Sequence, residues 1–326
     1  MAIAGLSAYL SNDPTVSEDG HCELWTIERG FRSPGFWVAL AAYARHQGVG
    51  YQQLRFSAPE RHEQYCRAIR LPTALGEPDS YEHERINEGL KYSPLILLED
   101  AHSTDRATSD VNGCIRELCR PLGVAQFTAD LCEVVGDLHD NVWSHGKSTG
   151  FSMAQRWNVL HSQNHKCLEF ALADCGIGFL RELHRVGLKV SSDEEAIDWC
   201  IQKGNSSKLV RAPQDDWAQW LPPDMMGNPI AGIGRVRESE NHHQGLGLAK
   251  LVSLVQKYKG ALWLASGNAI LTINSNGRRA IEAPRFSWPG VALACRFDTG
   301  AIGQSVEAPV GDYITDQLIT LLGEGS

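Results

Sequence analysis

One stretch constrains this chain more than any other: Glu133-Val134-Val135-Gly136-Asp137-Leu138-His139-Asp140-Asn141-Val142-Trp143-Ser144-His145-Gly146. Phe127, Leu131, Val134, Leu138 and Val142 recur at spacings of three and four, which predicts a helix starting near Val124 with one apolar face. Beside that face Glu133, Asp137, Asn141 and His145 each stand four residues from the next. Side chains at this spacing lie one above another, so they can converge on one ligand. A solvated helix face has the same pattern. The stripe therefore takes its meaning from what accompanies it.

With 326 residues, 43% of them hydrophobic, the chain can bury a sizeable core and is expected to form two domains. A formal net charge of -9 argues against coating nucleic acid through a broad basic surface. No apolar run approaches the roughly 20 residues needed to span a bilayer. Met1–Leu10 lacks the basic start of a secretory signal. Nine cysteines at irregular spacing, several in apolar patterns (Cys132, Cys167, Cys295), read as reduced core residues. The expected setting is cytoplasmic, with no membrane partner.

In chain order, residues 1 to about 20 carry no clear element. Cys22–Ile27 alternates like a strand, and Ser33-Pro34 is the start chemistry of a helix ending near Gly48. A second strand around Gln53–Ser57 and a helix carrying Tyr65 and Ile69 complete a small α/β unit. Leu95–Leu98 reads as a buried strand or a connector. His102–Asp110 is polar enough to be a linker, which divides the chain into residues 1–110 and 111–326. Helical sequence through Ile115 and Leu118 breaks at Pro121-Leu122-Gly123 and resumes as the striped helix. Strands are expected at Phe151–Trp157, Leu168–Ala173, Ala261–Ala265, Ala269–Ile273 and Val291–Phe297. Helices are expected from Ser191, from Gly245 to Gly260, and over Asp312–Leu322. About 204–244 is rich in Gly, Pro, Asp and Ser, the composition of a lid or a disordered loop.

Two further motifs carry chemistry. Asp174-x-Gly176-x-Gly178 follows a strand, where a carboxylate is held rigidly and glycines let the backbone approach a ligand. A short acid there can accept the amino group of adenine; a plain tight turn would look the same. Gly245-Leu246-Gly247-Leu248 opens a helix, where free backbone N–H groups and the dipole favour phosphate. A lone G-x-G is also an ordinary helix entry. No Walker A pattern and no full G-x-G-x-x-G occurs, so neither a P-loop nor a dinucleotide fingerprint supports the site.

Taken in order, these motifs resemble those of the GHKL ATPase superfamily, which includes gyrase, histidine kinases and bacterial anti-sigma serine kinases. The resemblance covers roughly Val124 to Thr299. It implies a Bergerat-fold α/β sandwich, a mixed sheet with helices on one face, binding ATP and Mg²⁺. Asn141 would hold the metal through its amide oxygen. Asp174 would bind adenine, with Gly176 and Gly178 shaping the pocket. Gly245, Leu246, Gly247 and Leu248 would present the phosphates with backbone amides, and about 204–244 would be the ATP lid.

Two departures stand out. Family members that hydrolyse ATP usually carry Glu four residues before the Asn; here that place is Asp137, shorter by one C–C bond, about 1.5 Å. Asp137 is thus the candidate catalytic base, with hydrolysis an open question. A Gly-Thr pair that supports adenine is replaced by Trp288-Pro289-Gly290-Val291. Lys147, Lys203, Lys208, Arg211 and Lys250 are candidate phosphate clamps or ordinary surface cations. The N-terminal unit resembles, more faintly, the STAS-like units found ahead of such ATPase domains, on Ser33-Pro34-Gly35-Phe36 and the alternation around it. The expected function is an ATP–Mg²⁺-dependent switch of a protein partner or dimer contact with slow hydrolysis. The alternatives are an anti-sigma-type serine/threonine kinase and a nucleotide sensor without catalysis.

Overall fold

The computed structural model describes residues 15–19, 22–28, 30–57, 59–142, 148–159, 166–205, 247–283 and 287–307. The chain is mixed α/β, as its alternation of periods predicts. Strands β1 (Thr15–Asp19), β2 (Cys22–Ile27) and β3 (Leu54–Phe56) form a small sheet in that order, β2 and β3 parallel. Helix α1 (Pro34–Gln47) crosses between them and stops at Gly48 in the left-handed conformation. Helices α2 (Pro59–Ala68) and α3 (Leu71–Ala74) follow.

The large sheet has seven strands: β4 (Ile96–Leu98), β5 (Gly150–Asn158), β6 (Lys166–Asp174), β7 (Ala261–Gly267), β8 (Ala269–Ile273), β9 (Arg279–Glu282) and β10 (Trp288–Asp298). Their order is β4-β5-β6-β10-β7-β8-β9. Every neighbouring pair is antiparallel, which corrects the expected mixed sheet. The reason is β10, which enters between β6 and β7 and runs against both, while the flanking strands are joined in sequence as antiparallel neighbours.

Helices α4 (Ala101–Cys119) and α5 (Ala125–Asn141), then α6 (Gly178–Arg185), α7 (Asp193–Cys200) and α8 (Gly247–Lys257), precede α9 (Thr299–Glu307) at the end of the described chain. His102–Asp110, expected as a linker, is the first half of α4. Asp100 caps that helix by accepting the Ser103 N–H at 2.8 Å, so local capping chemistry overrides the polar composition. A division of the chain at residue 110 passes through this helix.

Alternation sorts β6 between two cores. Leu168, Phe170 and Leu172 face α4, α5 and α8. Ala171 and Ala173 face the other way, joined by Phe151, Met153, Ala292 and Ala294, in a core shared with α1. Helices thus lie on both faces, not one. The sequence of α1 shows why: Phe36, Trp37, Val38, Ala39, Leu40, Ala41, Ala42 and Ala44 leave no polar side, and a helix apolar all round must be covered all round. Two strands and three helices lacked a readable signal in the sequence, α3 among them. β1, β9, α6 and α9 are short, and α6 and α9 mix polar with apolar residues too closely for a run to show. The expected helix over Asp312–Leu322 lies outside the described residues.

Candidate functional site

Helix α5 carries the stripe as predicted, Ala125–Asn141 with Val124 at its N-cap. Its last residue, Asn141, reaches a partly open cleft whose enclosed part holds about 100 Å³. Leu138 of the same helix, Val142 just past its end, Leu172 of β6 and Leu293 of β10 form an apolar wall. Asp174 enters at the end of β6, Gly178 and Phe179 at the start of α6, and Leu248 in the first turn of α8. Four predicted residues from four separate segments, Asn141, Asp174, Gly178 and Leu248, therefore line one cavity. Its lining is that of a ligand site, apolar with a few convergent polar groups.

Asp174 is 4% exposed. Its carboxylate accepts the Gly176 N–H at 2.8 Å and the backbone N–H of Val291. Burial pushes its pKa up to about 7, and these two hydrogen bonds pull the other way without cancelling the effect. A buried acid poised near neutrality at a cavity wall is a group ready to accept an N–H donor from a ligand. Gly176 acts on the carboxylate and not on the cavity. Gly178 takes a φ of +70°, and its Cβ position lies 3.1 Å from Ser266 Oγ, which in turn accepts the Phe179 N–H.

Asp137 is placed differently. Its side chain is 2% exposed, and Oδ2 accepts from Lys250 Nζ at 2.9 Å, while the same ammonium donates to Glu133 Oε1 at 2.7 Å. Burial lowers the Lys250 pKa, but the hydrogen bonds to Glu133 and Asp137 outweigh it and leave the ammonium above its ordinary value. Gly247 packs on top: a Cβ there would stand 2.8 Å from that of Asp137. Two members of the stripe thus converge on a lysine of α8, and a third, Asn141, on the cavity. Lys250, a candidate phosphate clamp by sequence, is bound to carboxylates. Gly245, Leu246, His145, Lys147, Lys208 and Arg211 lie outside the described residues, as does the expected lid beyond Asn205.

Sequence reasoning missed Glu182, Trp199 and Asn205, which also line the cleft. Glu182 is buried and held by Arg185 through two hydrogen bonds of 2.6 Å. Also unanticipated is the hold of β10 on Asp174. Trp288 donates its indole N–H to the Asp174 carbonyl at 2.9 Å, and Val291 reaches the carboxylate. The signal was present: Trp-Pro-Gly-Val interrupts the alternation of β10, as a bulge does.

Among the described residues no cluster of three or more His, Cys, Asp or Glu side chains could hold a metal ion, and no helix is long and apolar enough to cross a membrane. The eight cysteines with described side chains are free thiols. No protein-family model, curated protein or solved structure matches the chain.

Proposed function

We propose that this chain is an ATP–Mg²⁺-binding protein of the GHKL superfamily, a two-domain α/β protein whose nucleotide switches a protein partner or dimer contact. The observation that carries the reading is the meeting of Asn141, Asp174, Gly178 and Leu248 in one apolar cleft. Motifs that sequence could only set in order converge in space on one cleft. The Asp174 carboxylate accepts the amino group of adenine between apolar walls. Asn141 offers a hard amide oxygen, which suits a Mg²⁺ whose other ligands are phosphate oxygens and water. Bound there, the metal would neutralise phosphate charge. The segment of about 204–244 is the switch element of this reading, and only Gly204 and Asn205 of it are described. The STAS-like N-terminal unit is the proposed site of partner contact.

Isothermal titration of the full chain with ATP and Mg²⁺ tests this. Binding by the wild type and a loss of about 100-fold in Asp174→Ala are expected, the scale of a hydrogen bond to a buried charged group. No wild-type binding, or unchanged binding by the variant, sinks the reading.

Hydrolysis would require a water oxygen to attack the γ-phosphorus as the β–γ bridging bond breaks, ADP leaving and the water proton passing to a carboxylate. The candidate acceptor, Asp137, is engaged by Lys250. That contact favours slow turnover, and in the limit a second reading: a nucleotide sensor without catalysis. Phosphate release by wild type, Lys250→Met and Asp137→Asn separates them. Slow hydrolysis predicts release that rises in Lys250→Met and vanishes in Asp137→Asn. A sensor shows background in all three.

A further inference from the structure

We propose that Trp288 is a positioning residue for Asp174, and that α1 sets Trp288 from the opposite face of the large sheet, so that packing of the N-terminal unit tunes affinity in the cleft. This rests on the reading of Asp174 as the ligand-binding carboxylate.

Asp174 opens into the cleft, on the α5 side of the sheet, whereas Trp288 is fully buried in the core that α1 shares with the other face. The two are tied through the backbone by the indole N–H on the Asp174 carbonyl, at 2.9 Å. Between Trp288 and Ala292 the pairing of β10 with β7 slips. This bulge carries Pro289-Gly290-Val291 around Asp174. It brings the Val291 N–H onto the carboxylate. It also presses Gly290 so close that a Cβ there would stand 2.4 Å from both Asp174 Oδ1 and the Gly176 nitrogen. The position of the carboxylate is therefore set by where the bulge sits, and the bulge is anchored by Trp288.

From behind, the Tyr43 ring of α1 packs 6.0 Å from the Trp288 ring and 5.8 Å from that of Trp25 in β2. Small sheet, α1, bulge and Asp174 form one contiguous packed path across the large sheet. Close-packed interiors transmit such displacements because they have no slack.

Binding of a fluorescent ATP analogue with Mg²⁺ to the full chain, alongside thermal melting, tests the path. Trp288→Phe keeps an aromatic ring, though a smaller one, and removes the N–H, and is expected to weaken binding about tenfold. Tyr43→Ala weakens it about fivefold, Tyr43→Phe restores wild-type affinity, and the double variant with Trp288→Phe is no weaker than Trp288→Phe alone, as coupled residues require. Tyr65→Ala is the control. That residue packs in the same core, against Trp37 and Gln155, and its loss should lower the melting temperature without changing affinity. Wild-type affinity in both Trp288→Phe and Tyr43→Ala, with Asp174→Ala still defective, overturns the path and leaves the site standing. So does Tyr65→Ala weakening binding as much as Tyr43→Ala. A wild type that binds no nucleotide overturns the site and the path together.

Discussion

Strand β6 carries two buried acids, Glu169 and Asp174, and they lie on opposite faces of the sheet because they stand five positions apart, an odd offset. Glu169 is fully satisfied from within the fold. Arg296 donates to it at 2.8 Å through Nε, the Ser33 hydroxyl at 2.9 Å and the Gly35 N–H at 2.8 Å. The last contact places the carboxylate at the N-terminus of α1, where the helix dipole favours negative charge. Trp157 and Trp263 flank the Arg296 guanidinium at 5.3 and 5.2 Å. Asp174, by contrast, has backbone N–H groups as the partners of its carboxylate, and burial raises its pKa to about 7. One acid joins the N-terminal unit to the sheet. The other is left short of compensation at a cavity, which is the condition of a group kept for a ligand.

The comparison is sharpest in stability. Glu169→Ala strands a partly buried guanidinium and should destabilise the fold by about 3–5 kcal/mol, read from urea unfolding. A loss below about 1 kcal/mol would show that the network contributes little. Asp174→Asn should act in the opposite direction. The folded pKa of about 7 lies above the ordinary 3.8. Between those values the folded state keeps a proton that the unfolded chain has lost, so wild-type stability falls as pH rises from about 4 to about 7 and then levels. The variant lacks that slope and should exceed the wild type by about 4 kcal/mol near pH 8, the gap closing towards pH 4. Parallel stability curves would break the contrast between the two acids.

Smaller effects follow from the same difference. If the ligand donates to an ionised Asp174, affinity falls as that acid protonates, about tenfold for each pH unit below 7. Titration calorimetry at matched ionic strength reads this, and a flat profile would mean that the neutral acid binds equally well. Ser33→Ala removes one hydroxyl from the Glu169 network and should cost about 1 kcal/mol, with affinity for ATP unchanged in its pH dependence.

Much of the fold was legible locally. The stripe of α5, the start of α1 at Ser33-Pro34 and the strands bearing Leu168–Ala173 and Val291–Phe297 lie where their periods place them. Ser33 shows the limit of that reading. It occupies the N-cap position, yet its hydroxyl makes no cap bond; Glu169, 136 residues away, accepts the Gly35 N–H instead. A carboxylate is a stronger acceptor than a hydroxyl at a helix start, and no local pattern reveals that one will arrive. The fate of the stripe was hidden in the same way. Spacing aligned Glu133, Asp137 and Asn141, but only the position of α8 sent the first two to Lys250 and the third to the cleft.

By itself, the sequence determined which residues share a face, where α1 and α5 begin, and which acids and glycines stand ready for chemistry. Those are consequences of backbone period and of side-chain chemistry a few residues apart. Tertiary structure decided everything that depends on long-range approach. It set the antiparallel course of β10 between β6 and β7, the covering of both sheet faces, and the bulge that puts Gly290 against Asp174. It also distinguished two buried acids on one strand, because burial and the company of a cation set a carboxylate's charge, and both come from elements far away in the chain.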